Sequence, residues 1–114
     1  LSNTPATEDT VLRVGTLELD HGRRALFADG QPVQLTAGEM RVLEQLLRRP
    51  GQVMSRGQLT ELALDRPLEA YDRSIDTLIS KLRRKLAAAG VPRNTIRSLR
   101  GHGYVIDDRL DQDD

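Results

Sequence analysis

The stretch from Asp72 to Ala89, DRSIDTLISKLRRKLAAA, leaves the chain the fewest folds to choose from. At about 100° per residue in a helix, Ile75, Ile79, Leu82 and Leu86 fall within an arc of roughly 60°. The arc opposite holds Arg73, Thr77, Ser80, Lys81 and Arg84, with no acidic residue among them. An apolar stripe docks a helix on a core, and a basic, hydroxyl-bearing back suits an anionic partner. Both ends are marked. Asp72 is a good N-cap, Gly90 stands where a left-handed C′ residue belongs, and Pro92 blocks continuation. Taken alone, the helix is explained equally well as a solvated surface element with ordinary Arg and Lys residues.

The distribution of charge favours the anionic partner. The chain is neutral overall, which by itself argues against nucleic acid. Residues 1–70, however, carry 8 basic and 10 acidic side chains, residues 71–105 carry 8 and 2, and residues 106–114 carry 1 and 5. The positive charge is concentrated on one helix and the segment after it. With screening over about 8 Å in physiological salt, a polyanion responds to that local field more than to the total.

The 114 residues suit one domain. With one Phe and no Trp, aliphatic side chains must fill the core. The absence of Cys excludes a disulfide framework and a Cys-based metal site, and is compatible with the cytosol. No apolar run approaches the ~18 residues of a membrane span. Leu1 to Thr10 is polar, aperiodic and unlike a signal peptide, so residues 1–10 are expected to be a flexible leader or an interdomain linker. The chain does not start with Met, as expected of a fragment or of a processed chain; if the parent is longer, the remainder is expected to precede this segment.

From Val11 to Leu35 the pattern is strand-like. Leu12 and Val14 alternate, Leu17 and Leu19 alternate in the other parity, and Gly15-Thr16 marks a turn or bulge between them. Asp20-His21-Gly22 is a turn signal, Arg24 to Ala28 a third strand, and Asp29-Gly30 a hairpin leading to Pro32–Leu35. His21 has no ligand partner nearby in the sequence and reads as a turn residue. Thr36-Ala37-Gly38-Glu39 is a capping box opening a helix with Met40, Leu43, Leu46 and Leu47 on its apolar side; Pro50-Gly51 ends it. A cap and a solvated face explain Glu39 and Glu44 better than a catalytic carboxylate pair does. Ser55 to Gln58 repeats the box before a short helix lined by Leu59, Leu62 and Ala63. A loop, Asp65 to Tyr71, leads into the basic helix. Beyond it, Ile96 and Leu99 on one arm and Tyr104 and Ile106 on the other frame a hairpin tip, Arg100-Gly101-His102-Gly103. Residues 107–114 form an acidic tail expected to be disordered, with metal binding a minor possibility there.

Three helices followed by a basic hairpin describe an α+β winged helix-turn-helix with an N-terminal four-stranded antiparallel sheet. Such a helix fits the major groove of duplex DNA, and an Arg-bearing hairpin reaches backbone or minor groove. Thr77 and Ser80 allow close approach to base edges, and Lys81 can donate to guanine O6 and N7. Arg73, Ser74, Arg83 and Arg84 flank them at positions suited to phosphates, and Arg97 and Arg100 charge the hairpin. Leu78 borders the apolar arc, where it serves as core or meets a thymine methyl.

The strings YDRSIDTLISKLRRKL and IRSLRGHGYVI, with LTAGEMRVLEQLLRRPGQVMSRGQL over 35–59, resemble the effector domain of OmpR/PhoB-type response regulators. The likeness spans residues 11–106. The loop LALDRPLEAYDRSID is similar to the Cpx-like envelope-stress branch. The resemblance implies a cytoplasmic, two-component transcriptional regulator controlled by phosphorelay, with no cofactor or metal. It implies DNA contacts at Arg73, Ser74, Thr77, Lys81 and Arg83, and a minor-groove role for Arg100. It implies an RNA polymerase contact by the loop Asp65, Arg66, Pro67, Leu68, Glu69, Ala70 and Tyr71. Asp76 would orient neighbouring Arg side chains. Partners would be a receiver domain in a longer parent, its sensor kinase, and a second copy on direct-repeat DNA. The family often has a large basic or His residue where Leu78 or Ser80 stands, so the resemblance does not fix base preference.

Other classes fit less well. A winged helix built for a protein partner leaves the wing arginines unexplained. RNA or single-stranded DNA binders use exposed aromatics, and Phe27, Tyr71 and Tyr104 are scattered. An enzyme would need a nucleophile–base pair, a phosphate-binding glycine loop or His-rich ligand spacing, and the sequence has none.

Overall fold

The computed structural model describes residues 11–106. The expected leader and acidic tail lie outside them.

Four short strands, β1 (Val11–Val14), β2 (Leu17–Asp20), β3 (Ala25–Ala28) and β4 (Gln31–Val33), form an antiparallel sheet in sequential order. Its register aligns Leu12, Leu19, Leu26 and Val33 across all four strands. That row faces the core, while Arg13, Glu18, Phe27 and Pro32 form a row on the outer face, as period-2 alternation requires. The Asp29-Gly30 turn has positive φ at both residues, +52° and +83°, the two-residue hairpin geometry that matches strand twist. Arg24 also has positive φ and belongs to the preceding turn, so the third strand starts one residue later than its pattern indicates.

Three helices follow: α1 (Ala37–Arg48), α2 (Arg56–Leu64) and α3 (Ser74–Ala88). Both capping boxes form. Thr36 and Glu39 bond reciprocally at the start of α1, and Ser55 and Gln58 do so at α2. The α1 residues Val42, Leu43 and Leu46 are fully buried against the sheet row and the apolar stripe Ile75, Ile79, Leu82 and Leu86 of α3. After α3, the Gly90 N–H bonds to the Ala87 carbonyl and the Val91 N–H to that of Leu86, a Schellman ending with Val91 buried beneath it.

A short 3₁₀ turn (Arg93–Thr95) leads into the hairpin of β5 (Ile96–Leu99) and β6 (Gly103–Ile106). The α1–α2 connection also pairs with β6. Met54 and Tyr104 exchange both backbone hydrogen bonds, at 2.7 and 2.9 Å, and the Gly51 N–H reaches the Ile106 carbonyl. The wing is thus rooted in the helical body rather than appended to it.

Three expectations need correction. Leu62 does not line the core; it is half exposed, and α2 buries Leu59, Thr60 and Ala63 instead. Thr60 can be buried because its hydroxyl donates to the Arg56 carbonyl at 2.7 Å. Glu44 is not on a solvated face but is buried, bonded by Arg48 at 2.6 Å and by His21 Nδ1 at 2.9 Å. His21 therefore has a partner, 23 positions away, that ties the β2–β3 turn to α1. Glu39 caps α1 as expected but is also buried, with Oε1 on Lys85 Nζ of α3 at 2.7 Å.

Candidate nucleic-acid interface

The back of α3 is the exposed face its periodicity predicts. Arg73, Thr77, Ser80, Lys81 and Arg84 are all exposed. Among the described residues no hydrogen bond or ion pair engages the charged groups of Arg73, Lys81, Arg84 or Arg100. Four cations are therefore presented to solvent, three along the helix and one on the wing tip.

The two acidic residues near this face are both occupied. Asp72 accepts from Arg66 through Oδ2 and from the Ser74 N–H through Oδ1 at 3.0 Å. The Arg66 hydrogen bond, then the Ser74 donors, hold the Asp72 carboxyl well below the usual carboxylate range. Arg66 also donates to Ser74 Oγ at 2.9 Å, so the loop before α3 is pinned to its first turn. Asp72 is therefore not the N-cap the sequence suggests: regular helix begins at Ser74, the N-cap is Arg73 without a side-chain cap bond, and Asp72 reaches the Ser74 N–H from one position further out.

Asp76 lies 3.4 Å from Arg56 Nη2 at the start of α2 and accepts the Tyr104 hydroxyl from the wing. Burial first, and then the Asp76 carboxylate, push the Tyr104 hydroxyl up to about 12, so it is a donor at neutral pH. Asp76 orients Arg56 and Tyr104, not arginines of its own helix.

The remaining candidates divide by environment. Leu78 is half-buried on the core, and a methyl group added at Gly38 would sit 3.4 Å from its Cδ2. The Arg83 guanidinium donates to the Ile96 carbonyl through Nε and Nη2, at 3.0 and 2.8 Å, and to Ser98 Oγ at 2.7 Å. It also lies 5.8 Å from the centre of the Tyr104 ring. Lys85 is held by Glu39 and is not part of the exposed basic face. Arg97 is exposed on β5, and Arg100 is exposed at the tip, where the His102 N–H closes the turn on the Leu99 carbonyl.

The loop Asp65–Tyr71 is exposed throughout, with Tyr71 99% accessible and Leu68 partly so. Leu68 shares a cleft of about 390 Å³ with Arg56, Asp76, Arg100, His102 and Tyr104. Arg56 was not singled out by sequence reasoning, since nothing local pairs it with Asp76. Tyr104 could have been, as the aromatic that closes R-G-x-G-Y. Among the described residues, no group of three or more His, Asp or Glu side chains could hold a metal, and no helix is long and apolar enough to cross a membrane.

Residues 30–106 match the family described as "Transcriptional regulatory protein, C terminal". The regulatory protein VirG of Agrobacterium fabrum is 44% identical over 89 residues, which is 78% of this chain and 35% of that protein. The chain thus spans about a third of the length of the curated relatives it matches. Among solved structures, the DNA-binding domain of CpxR from E. coli is 39% identical with a TM-score of 0.76, covering 85% of this chain and 95% of that one. The Klebsiella pneumoniae RstA DNA-binding domain, solved in complex with the RstA box, is 30% identical with a TM-score of 0.77, covering 86% and 97%.

Proposed function

The chain belongs to the transcriptional regulatory protein C-terminal family, of the OmpR/PhoB type, and from that premise we propose how it engages DNA. It is the DNA-binding output domain of a response regulator and not an enzyme. The finer reading places α3 in the major groove, with Lys81 on guanine O6 and N7 and with Thr77 and Ser80 against neighbouring base edges. Arg73, Ser74, Arg84 and Arg97 lie along phosphates, and Arg100 enters the adjacent minor groove. Leu78 shapes the helix face from its edge while serving the core.

The observation that carries this reading is the set of four cations without partners among the described residues, at the N-cap and along the back of α3 and on the wing tip, beside two carboxylates already taken up. A solvated surface would mix signs and pair them; a polyanion site keeps its cations available.

Wider roles follow for a longer parent protein in the cytoplasm. A receiver domain, addressed by a sensor kinase, would control pairing of two copies on direct-repeat sites. The exposed loop Asp65–Tyr71, with Leu68 and Tyr71 outward, would contact RNA polymerase.

The test is the salt dependence of binding to a mixed-sequence duplex. Three to five phosphate contacts predict a log–log slope of about −3 to −5. A shallow slope, near −1 or less in magnitude, would instead support a winged helix built for a protein partner.

A further inference from the structure

Tyr104 occupies an unusual position between the two DNA-facing elements. Asp76 and Arg83 stand seven residues apart on α3, which is about two turns and about 10 Å along one side of the helix. One wing residue meets both: the Tyr104 hydroxyl donates to Asp76, and its ring lies under the Arg83 guanidinium. Arg83 continues across to β5 through the Ile96 carbonyl and Ser98. The backbone of Tyr104 is fixed as well, through its two hydrogen bonds with Met54. From this root the hairpin runs four residues back to Arg100 at the tip.

We propose that Tyr104, with Asp76 and Arg83, is a brace that sets the angle between α3 and the wing, so that Tyr104 acts on DNA through the placement of Arg100. Arg83 is then a positioning residue, its guanidinium used inside the domain, and not a phosphate contact. The inference rests on the reading of α3 and the wing as the DNA-contacting elements. Its physical basis is that a two-stranded hairpin is marginal alone and takes its orientation from what it packs against. Without the side-chain anchor, Arg100 samples a range of positions and pays in entropy on reaching the groove.

The experiment is a double-mutant cycle in the 114-residue chain. The probe is the duplex most enriched by the wild-type chain from a random double-stranded pool. Thermal melts establish that each variant is folded. Tyr104→Phe keeps the ring under Arg83 and removes only the hydroxyl. It is expected to weaken binding about 5- to 10-fold in the wild-type background and less than about 2-fold in the Arg100→Ala background. Its salt slope should equal that of wild type, because no phosphate contact is removed. Asp76→Asn, which keeps an acceptor for the hydroxyl, should retain most of the affinity. Equal losses in both Arg100 backgrounds, or no loss in either, would overturn the brace. Arg83→Met is the second variant, and a salt slope lowered by about one unit would return Arg83 to the phosphates and refute its positioning role. A wild-type chain that binds no duplex at all would refute the DNA reading itself and remove the premise of the brace; additive losses on a duplex that is bound leave that reading standing and refute only the brace.

Discussion

The two glycines of the wing motif R-G-x-G-Y should respond very differently to the same substitution. Gly103 has φ +138°, and a Cβ built on it would lie 2.0 Å from the Met54 carbonyl oxygen and 2.8 Å from Ser55 Cα. Both atoms belong to the backbone, so no side chain can swing aside. A non-glycine residue held in such a conformation costs about 1–3 kcal/mol. Relieving the clash also breaks the two hydrogen bonds between Met54 and Tyr104, worth about 1 kcal/mol each. Together these put Gly103→Ala at about 3–5 kcal/mol, a large share of the about 5–15 kcal/mol that holds a typical domain. Gly101, with φ +79°, has nothing within 4 Å of its would-be Cβ, so Gly101→Ala bears only the left-handed penalty of about 1–2 kcal/mol. Thermal unfolding by circular dichroism separates the two. At about 4–8 °C per kcal/mol, Gly103→Ala should melt at least about 12 °C below wild type, and Gly101→Ala by clearly less. Equal melting temperatures for the two variants would refute the claim that the wing root is locked against the α1–α2 connection.

Lys85→Met should destabilise by about 2–3 kcal/mol in urea unfolding, because it strands the buried Glu39 carboxylate; the value is discounted from about 3–5 kcal/mol for a fully buried pair because Lys85 is partly solvated. Burial pushes Glu39 up, but Lys85 and the Thr36 donors outweigh it and hold its carboxyl below the ordinary 4.5; at Glu44 burial is likewise outweighed, by Arg48 and His21. Both folded values being depressed, this stability is present above pH 4.5 and is lost as pH falls through the folded values, so urea midpoints of wild type should drop below pH 4.5 more steeply than those of Glu39→Gln. In quantitative binding assays, Lys81→Ala should cost about 1–3 kcal/mol on the preferred duplex and relax selection at one base pair; equal losses on specific and random duplexes would overturn its base-reading role. Arg84→Ala should weaken all sequences alike and flatten the salt slope by about one unit.

What the sequence made legible was mostly local. The two capping boxes, the Asp29-Gly30 hairpin, the Gly90 ending and the stripe from Ile75 to Leu86 each lie within a few residues, and each has the expected form. What escaped it depends on partners far along the chain. Glu39 meets Lys85 across 46 positions, Glu44 meets His21 from the sheet, and Asp76 meets Arg56 and Tyr104 from two other elements. No spacing rule reaches those distances, so residues read as solvated proved to be buried and paired. Leu62 failed for the converse reason. Its helical phase is compatible with the core side of α2, but among the described residues it is left half exposed. At the interface, the exposed cations of α3 followed from periodicity, whereas the use of Arg83 inside the domain depends on where the wing folds back.

Selection from a random pool of duplex DNA, followed by sequencing at two salt concentrations, tests the central claim most directly. Recovery of a direct repeat with half-sites about one helical turn apart, bound less tightly at the higher salt, is the predicted result. Failure to retain any duplex at low salt would contradict it.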